Sequence, residues 1–325
     1  MKMNRKLYYI FHSGKNFKLG YYFRAYCRLL IPRFIYRNRL SELLSELEER
    51  PDRDYIQERV DYYCKLSTSV KLPDSCGTLR QAWKKAWGGT VYDHDTYEFT
   101  RYFSPEKRWA FLPGDIVTVP AQPSVVKSRP LCDDNDNSVL LKLDKIRHFI
   151  FVEDDIPFEK KTYKVLFRGK VKGKEPRRAF MQAYYGNPLF DVGDVGRRTD
   201  SPMEWRKEKL TIREHLDYKF IMAIEGNDVA SNLKWVMSSN SLAVMPRPTC
   251  ETWFMEGKLI PNYHYVEVKP DFSDVEERTR YYNDHPEEAK AIIAHAHEYV
   301  SQFMDQTREK LISLAVLDKY FQMVH

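Results

Sequence analysis

The sequence predicts an α/β chain of two domains, the second built on a parallel sheet. Three observations carry this. The chain has 325 residues, more than one ordinary domain holds and suited to two of about 150 residues each. Its second half alternates short apolar runs with helix-periodic segments, the pattern of a parallel sheet. Tyr218 to Met245 reads as strand, tight loop, helix, strand: Phe220 to Ile224 is an apolar run, Gly226-Asn227-Asp228 is turn chemistry with a residue able to cap a helix, Val229, Leu233, Val236 and Met237 share one helical face, and Ser241 to Met245 is a second apolar run. Two buried strands around one helix make a βαβ unit. Ligands of such sheets sit beyond the carboxyl ends of the strands, and free N–H groups at a helix start there favour an anion.

The first forty residues hold ten Lys or Arg and no Asp or Glu, which leaves the rest of the chain acidic by four charges. Tyr8, Tyr9, Phe11, Phe17, Tyr21, Tyr22, Phe23 and Tyr26 are interleaved with those cations. A basic, aromatic, amphipathic segment suits an anionic membrane surface, or a helix packed on the body by its aromatic face. Because the excess is confined to one end, nucleic acid is not expected as a partner. No window approaches 18 uninterrupted apolar residues, so no transmembrane helix is expected, and Leu7 to Phe11 is too short for a signal-peptide core. The five cysteines are scattered and odd in number, as expected of free thiols in the cytosol.

Residues 39 to 65 read as helix, with Leu40, Leu43, Leu44 and Leu47 on one face and a break at Pro51-Asp52. Ser75 to Trp87 reads as another helix. Leu112 to Asp115 is a turn before an expected strand at Ile116 to Val119, and Val139 to Leu143 and His148 to Val152 are further strand material. The charged stretch Glu153 to Lys161, with Pro157, is the expected domain boundary, giving domains 1–155 and 156–325. Then follow a strand at Tyr163 to Phe167, a helix at Arg177 to Tyr185, a strand at Leu189 to Val192, the βαβ unit, a strand at Tyr263 to Val268 and a helix at Pro286 to Phe303.

Arg168 to Arg178, RGKVKGKEPRR, ends a buried strand in Arg-Gly and places six basic residues before a helix, with only Glu175 opposing them. Glycine lets backbone approach closely, and cations beside helix N–H groups suit a diphosphate.

EGNDVASNLKW, SSNSL and ETWFMEGKLIPNYHYVEVK resemble glycosyltransferase family 90, most closely its bacterial lipopolysaccharide branch, from about Phe111 to about Phe303. The family also holds fungal capsule-associated proteins and animal protein O-glucosyltransferases. With an α/β half preceding the second sheet, the architecture resembles a glycosyltransferase B-type fold, two Rossmann-like domains facing across a cleft. The resemblance implies a UDP-sugar donor, no cofactor, and a saccharide or lipid-linked saccharide acceptor. The first domain would hold the acceptor and the last helices would pack back on it. It points to Arg168, Gly169, Lys170 and Arg177 at the nucleotide. Gly226, Asn227, Asp228 and Ser231 become candidates for the sugar or phosphates, and Glu251 for the ribose hydroxyls. Animal relatives carry a diphosphate-binding arginine early in the helix of the βαβ unit. Asn232 stands there in this chain, with Lys234 close by and off the apolar face. An inverting enzyme needs a carboxylate to take the acceptor's proton, and Asp115 resembles the family's catalytic aspartate in position. The basic start would keep the enzyme on the inner face of the cytoplasmic membrane.

Two other readings fit parts of the sequence. Asp134-Asn135-Asp136 is a DxD triplet, which a metal-dependent transferase would use, but the surrounding sequence reads as a polar turn. The departure at Asn232 is the one feature that suits a non-catalytic carbohydrate- or membrane-binding protein. No metal site is expected: His295 and His297 lie two apart on a helix, and the EF-hand spacing fails at Lys145.

Overall fold

The computed structural model describes residues 5–198 and 200–325. Ten strands run along the described residues: β1 (Phe111–Leu112), β2 (Ser124–Val126), β3 (Ser128–Pro130), β4 (Ser138–Leu140), β5 (Thr162–Gly169), β6 (Phe190–Asp194), β7 (Tyr218–Met222), β8 (Leu242–Met245), β9 (Cys250–Thr252) and β10 (Val266–Glu267). Two compact units form, each discontinuous in sequence. The sheet unit takes the described residues up to Asn16 with Arg147–Thr249 and Gly257–Gln302, and the helical unit takes Phe17–Ile146, Cys250–Glu256 and Phe303–His325. These bounds differ from a single cut at 155/156. The charged stretch 153–161 lies inside the sheet unit because Asp154 is a buried clamp rather than a solvated linker residue. Its carboxylate accepts from the Asn240 N–H at 2.8 Å and from Lys161 Nζ at 2.7 Å, and its carbonyl accepts from Asn240 Nδ2 at 2.6 Å.

In the helical unit, helices Leu40–Glu48 and Arg53–Tyr63 flank the expected break at Pro51-Asp52, and Leu43, Leu47, Ile56, Val60 and Tyr63 are buried. Helix Leu79–Ala86 starts at Thr78, whose N–H donates to Gln81 Oε1 at 3.0 Å, a capping box. Strands β1, β2 and β4 form a small parallel sheet, and β3 pairs antiparallel with β9. No strand forms at Ile116 to Val119. Both backbone groups of Ile116 are met by one side chain instead: its N–H donates to Ser128 Oγ at 3.0 Å and its carbonyl accepts from that hydroxyl at 3.0 Å.

The core of this unit is organised on the last helix, Gln306–Met323. Its buried Glu309 accepts from Arg59 Nη1 at 2.6 Å, from Lys142 Nζ at 2.8 Å and from Trp253 Nε1 at 2.7 Å. Tyr63 stacks on Trp253 at 3.9 Å between centroids, accepts from Arg59 and donates to the Trp253 carbonyl at 2.7 Å. One carboxylate thus joins segments that are far apart in sequence.

In the sheet unit the order is β10-β8-β7-β5-β6, all parallel. Counted from β5 this is 2-1-3-4-5, an open doubly wound sheet whose topological switch point lies between β5 and β7. Phe167, Phe180, Phe190, Phe220, Val244 and Val266 pack in its core with Ile292 and Ile293 of helix Pro286–Ser301. The βαβ unit forms, but its helix is short, Leu233–Met237, and residues 226–231 are bends and coil. Asn232 does not cap it by side chain; its Nδ2 donates to the Met222 carbonyl at 3.0 Å. The strand expected at Tyr263 to Val268 narrows to β10. His148 to Val152 is neither strand nor helix, and Val152 N–H is met by Ser238 Oγ at 2.9 Å.

Removing one partner of a buried ion pair leaves an uncompensated charge in low dielectric. Glu309→Gln strands two buried cations and is expected to cost about 3–5 kcal/mol of unfolding free energy in urea titrations; a loss below about 1 kcal/mol would show that the helical unit does not rest on this carboxylate.

Candidate functional site

The carboxyl ends of β5 and β7 are where an open sheet of this order takes ligands, and most of the candidate residues from the sequence gather on them. Strand β5 ends in Arg168 and Gly169, paired in register with Gly193 and Asp194 of β6. A Cβ on Gly169 would lie 2.6 Å from the Phe167 ring, so only glycine fits where the strand gives way to the basic loop. That loop is held from β6: Asp194 Oδ1 accepts from the Val171 N–H at 3.4 Å and from the Gly196 N–H at 2.8 Å. Lys170 is exposed on it. Helix Glu175–Tyr184 follows, with Pro176 in its first turn.

Arg177 is the third residue of that helix and closes the switch point. Its Nη2 and Nε donate to the Ile224 carbonyl at 2.8 and 3.2 Å, Nε also to the Glu225 carbonyl at 3.1 Å, and Nη1 to the Lys170 carbonyl at 3.2 Å. The guanidinium therefore ties the loop after β5 to the loop after β7. A Cβ on Gly226 would stand 3.0 Å from Nη2, which is why glycine suits that position. Among the described residues the partners of Arg177 are carbonyl oxygens, with no carboxylate, and burial pushes its pKa down. A cation in the first turn also opposes the helix macrodipole, at a cost of roughly 0.3–1 kcal/mol. Both features reverse in the presence of an anion, which would satisfy the cation and the helix start together.

Arg168 stands differently. Its Nη2 donates to Asp191 Oδ1 at 2.7 Å and its Nη1 to the Asp191 carbonyl at 2.7 Å. Asp191 also accepts from Lys207 Nζ at 2.6 Å and from the Tyr218 hydroxyl at 2.9 Å. Burial alone would raise the Asp191 pKa, but the hydrogen bonds from Lys207 and Arg168 outweigh it and hold it at about 2. Arg168 is thus an anchor between β5 and β6.

In the loop after β7, Gly226 N–H donates to the Asp228 carbonyl at 2.8 Å, and Asn227 Oδ1 accepts from Lys174 of the basic loop. Asp228 is buried and Ser231 exposed. Lys234 is fully buried rather than standing off the helix. The helix start sits at Leu233, away from Gly226, so the expected N–H cradle beside that glycine is not formed by a helix. Glu225 and Thr249 went unnoticed in the sequence. Glu225 accepts from the Thr249 N–H at 3.0 Å and from its hydroxyl at 2.6 Å, joining the loops after β7 and β8. Only the sheet order brings these two together.

Two candidates belong to the helical unit. Glu251, on β9, is buried and accepts from Arg129 Nε at 2.8 Å and from the Tyr62 hydroxyl, so its charge is spent on an internal pair. Asp115 is partly exposed and its Oδ1 accepts from the buried Lys127, which fixes its orientation. In the DxD triplet, Asn135 Nδ2 donates to the Pro130 carbonyl at 2.9 Å and its Oδ1 accepts from Lys65 Nζ at 2.7 Å, which accounts for the turn.

The family described as Glycosyl transferase family 90 matches residues 142–325, which takes in every candidate but Asp115. The chain is 38% identical over 314 residues to the O-glucosyltransferase LpsA of Dichelobacter nodosus, covering 94% of this chain and 96% of that one. It is 28% identical over 165 residues to protein O-glucosyltransferase 3 of Homo sapiens and 26% identical over 164 residues to that of Rattus norvegicus, in each case 49% of this chain and 32% of the relative.

Because the Asp191 pKa is depressed in the folded state, its contribution to stability is present above the unfolded value of 3.8 and is lost as pH falls through about 2. Asp191→Asn should cost about 2 kcal/mol at pH 7, and the gap from the parent should narrow in urea titrations taken from pH 5 down to pH 2. A gap independent of pH would mean that the charge of Asp191 does not carry the anchor.

Proposed function

The chain belongs to glycosyltransferase family 90 and is a glycosyltransferase, and we propose that it is an inverting, metal-independent enzyme that moves a sugar from a UDP-sugar to a hydroxyl of a saccharide. The acceptor in this reading is a lipopolysaccharide core or a related lipid-linked glycan at the inner face of the cytoplasmic membrane, and the two units make a glycosyltransferase B-type architecture. The relative named as an O-glucosyltransferase over nearly the whole chain supports glucose as the sugar and oxygen as the acceptor atom.

One observation carries the donor side: among the described residues, Arg177 presents a cation held by carbonyls alone at the switch point of a parallel sheet. The leaving group of a UDP-sugar is a diphosphate, and the negative charge on its oxygen grows as the bond to the anomeric carbon breaks. A guanidinium fixed in advance, beside a helix start and the lysines of the 170–174 loop, stabilises that charge without reorganising. On the acceptor side, the acceptor oxygen attacks the anomeric carbon from the face opposite the diphosphate. Asp115 takes the hydroxyl proton, and UDP departs with the electron pair of the broken bond. Lys127 holds one Asp115 oxygen in place. Product and donor then have opposite anomeric configurations, and no sugar is ever bonded to the protein.

UDP should raise the melting temperature of the protein, since it binds the native state alone. Arg177→Ala should weaken UDP binding by about tenfold to a hundredfold, the worth of a charge-assisted hydrogen bond of ~1.5–3 kcal/mol; calorimetry showing unchanged affinity in the folded variant would remove the donor site from this edge. Asp115→Asn keeps size and most hydrogen bonding but cannot accept the proton. Its transfer rate should fall by about 10²–10⁴-fold while UDP binding stays at the parent value. Turnover above about a tenth of the parent would exclude Asp115 as the base, and a retained anomeric configuration would exclude single displacement altogether.

A further inference from the structure

Helix Lys18–Leu30 of the helical unit has two apolar stripes where a surface helix needs one. The first faces inward: Tyr22 and Tyr26 meet the His94 ring edge-on, Tyr21 donates to Asp95 Oδ1 at 2.8 Å, Arg28 pairs with Glu98, and Ala25 and Leu29 are buried. The second faces solvent. Leu19, Phe23 and Leu30 are 73%, 71% and 72% exposed. At ~100° per residue they fall, with Tyr26, within an arc of about 60° turned roughly 110° from Ala25 and Leu29, and Tyr26 borders both stripes. Tyr26 carries the stripe across to a second helix, for its ring lies 6.3 Å from that of Trp87, which is 52% exposed just past helix Leu79–Ala86. Cations lie on both helices: Lys18 and Arg24 are exposed on the first, and Lys84 and Lys85 on the last turn of the second, where the nearby Asp93 carboxylate accepts from the Thr90 N–H at 2.7 Å as its helix cap. The first forty residues offer no carboxylate to balance them.

We propose that this patch is an interfacial membrane anchor, in which Leu19, Phe23, Leu30 and Trp87 enter the headgroup–acyl boundary of an anionic bilayer while Lys18, Arg24, Lys84 and Lys85 meet its phosphates. A bare apolar stripe with a cationic rim and aromatic rings at its border is the chemistry of a helix lying in the interface. No helix among the described residues is long and apolar enough to cross a membrane, so this surface lies on the bilayer. A second copy of the chain fits worse, since a two-fold pairing sets the cations of one rim against the same cations of the other. The proposal takes its purpose from the lipid-linked acceptor of the preceding reading, but its geometry is independent of the donor site.

The full chain is measured by co-sedimentation with vesicles of phosphatidylcholine alone and of equimolar phosphatidylcholine and phosphatidylglycerol, without donor or acceptor, at low and high salt. Binding is expected on the anionic vesicles and should weaken with salt. The Leu19→Ser/Phe23→Ser/Leu30→Ser variant should partition about a hundredfold less, and Trp87→Ser, on the other helix, about tenfold less. Lys84→Glu/Lys85→Glu should lose the preference for anionic lipid. All variants should keep the melting temperature of the parent and its UDP-induced rise. Absence of that rise in a parent that still binds vesicles would remove the donor reading and leave the anchor. The anchor is overturned if the parent ignores anionic vesicles at low salt, or if the serine variant binds as the parent does. It is equally overturned if the parent is a dimer that the serine variant dissolves without any binding to vesicles.

Discussion

The sheet unit is organised around a single cation in an awkward place. Arg177 occupies the start of a helix, where the backbone dipole disfavours positive charge, and its hydrogen bonds go to the carbonyls of Lys170, Ile224 and Glu225. Those carbonyls belong to the two loops that diverge at the switch point. With the side chain in place, the loops are held at a fixed spacing and the guanidinium is pre-aimed. The positioning of Gly226, Asn227 and the basic loop follows from that contact, because each is set by a loop that Arg177 holds.

Arg168 and Arg177 stand nine residues apart and read alike in the sequence, yet their electrostatics are opposite. Arg168 is neutralised by Asp191, which is itself shared with Lys207 and Tyr218. A cation so compensated contributes rigidity and little field. Arg177 is solvated by neutral dipoles and keeps its field for whatever approaches the edge. The pair divides the strand edge between a brace and a cation held by neutral dipoles, with β6 supplying the carboxylate that makes the difference.

Much of this was legible in the chain before folding. Short apolar runs placed β5, β7 and β8, and a period of 3.6 placed the helix Pro286–Ser301, because their residues are buried. Where the structure differs, local and long-range contacts both account for it. The helix after β7 reads as nine residues from Val229, but residues 226–231 turn instead, so the capping chemistry of Asn227 and Asp228 acts in a loop. The strand expected at Ile116 is pre-empted by the Ser128 hydroxyl. Glu251, offered by the sequence for the ribose hydroxyls, is paired inside the helical unit. Its partners Arg129 and Tyr62 lie 122 and 189 positions away, and no periodicity encodes a contact of that range. The same holds for Asp191 under Arg168, and for Glu225 with Thr249.

The location of Glu309 also sets a timetable for synthesis. Arg59 and Lys142 leave the ribosome long before the residue that neutralises them. At about 5–20 residues per second, the interval between Lys142 and Glu309 is on the order of ten to thirty seconds. During that time the strands and crossover helices of the sheet unit emerge in full, whereas the helical unit lacks its counter-ion and the helix that covers Trp253. The nascent chain therefore matures from the middle outward, and its amino-terminal portion stays solvated and available to chaperones until the final helix arrives to close it.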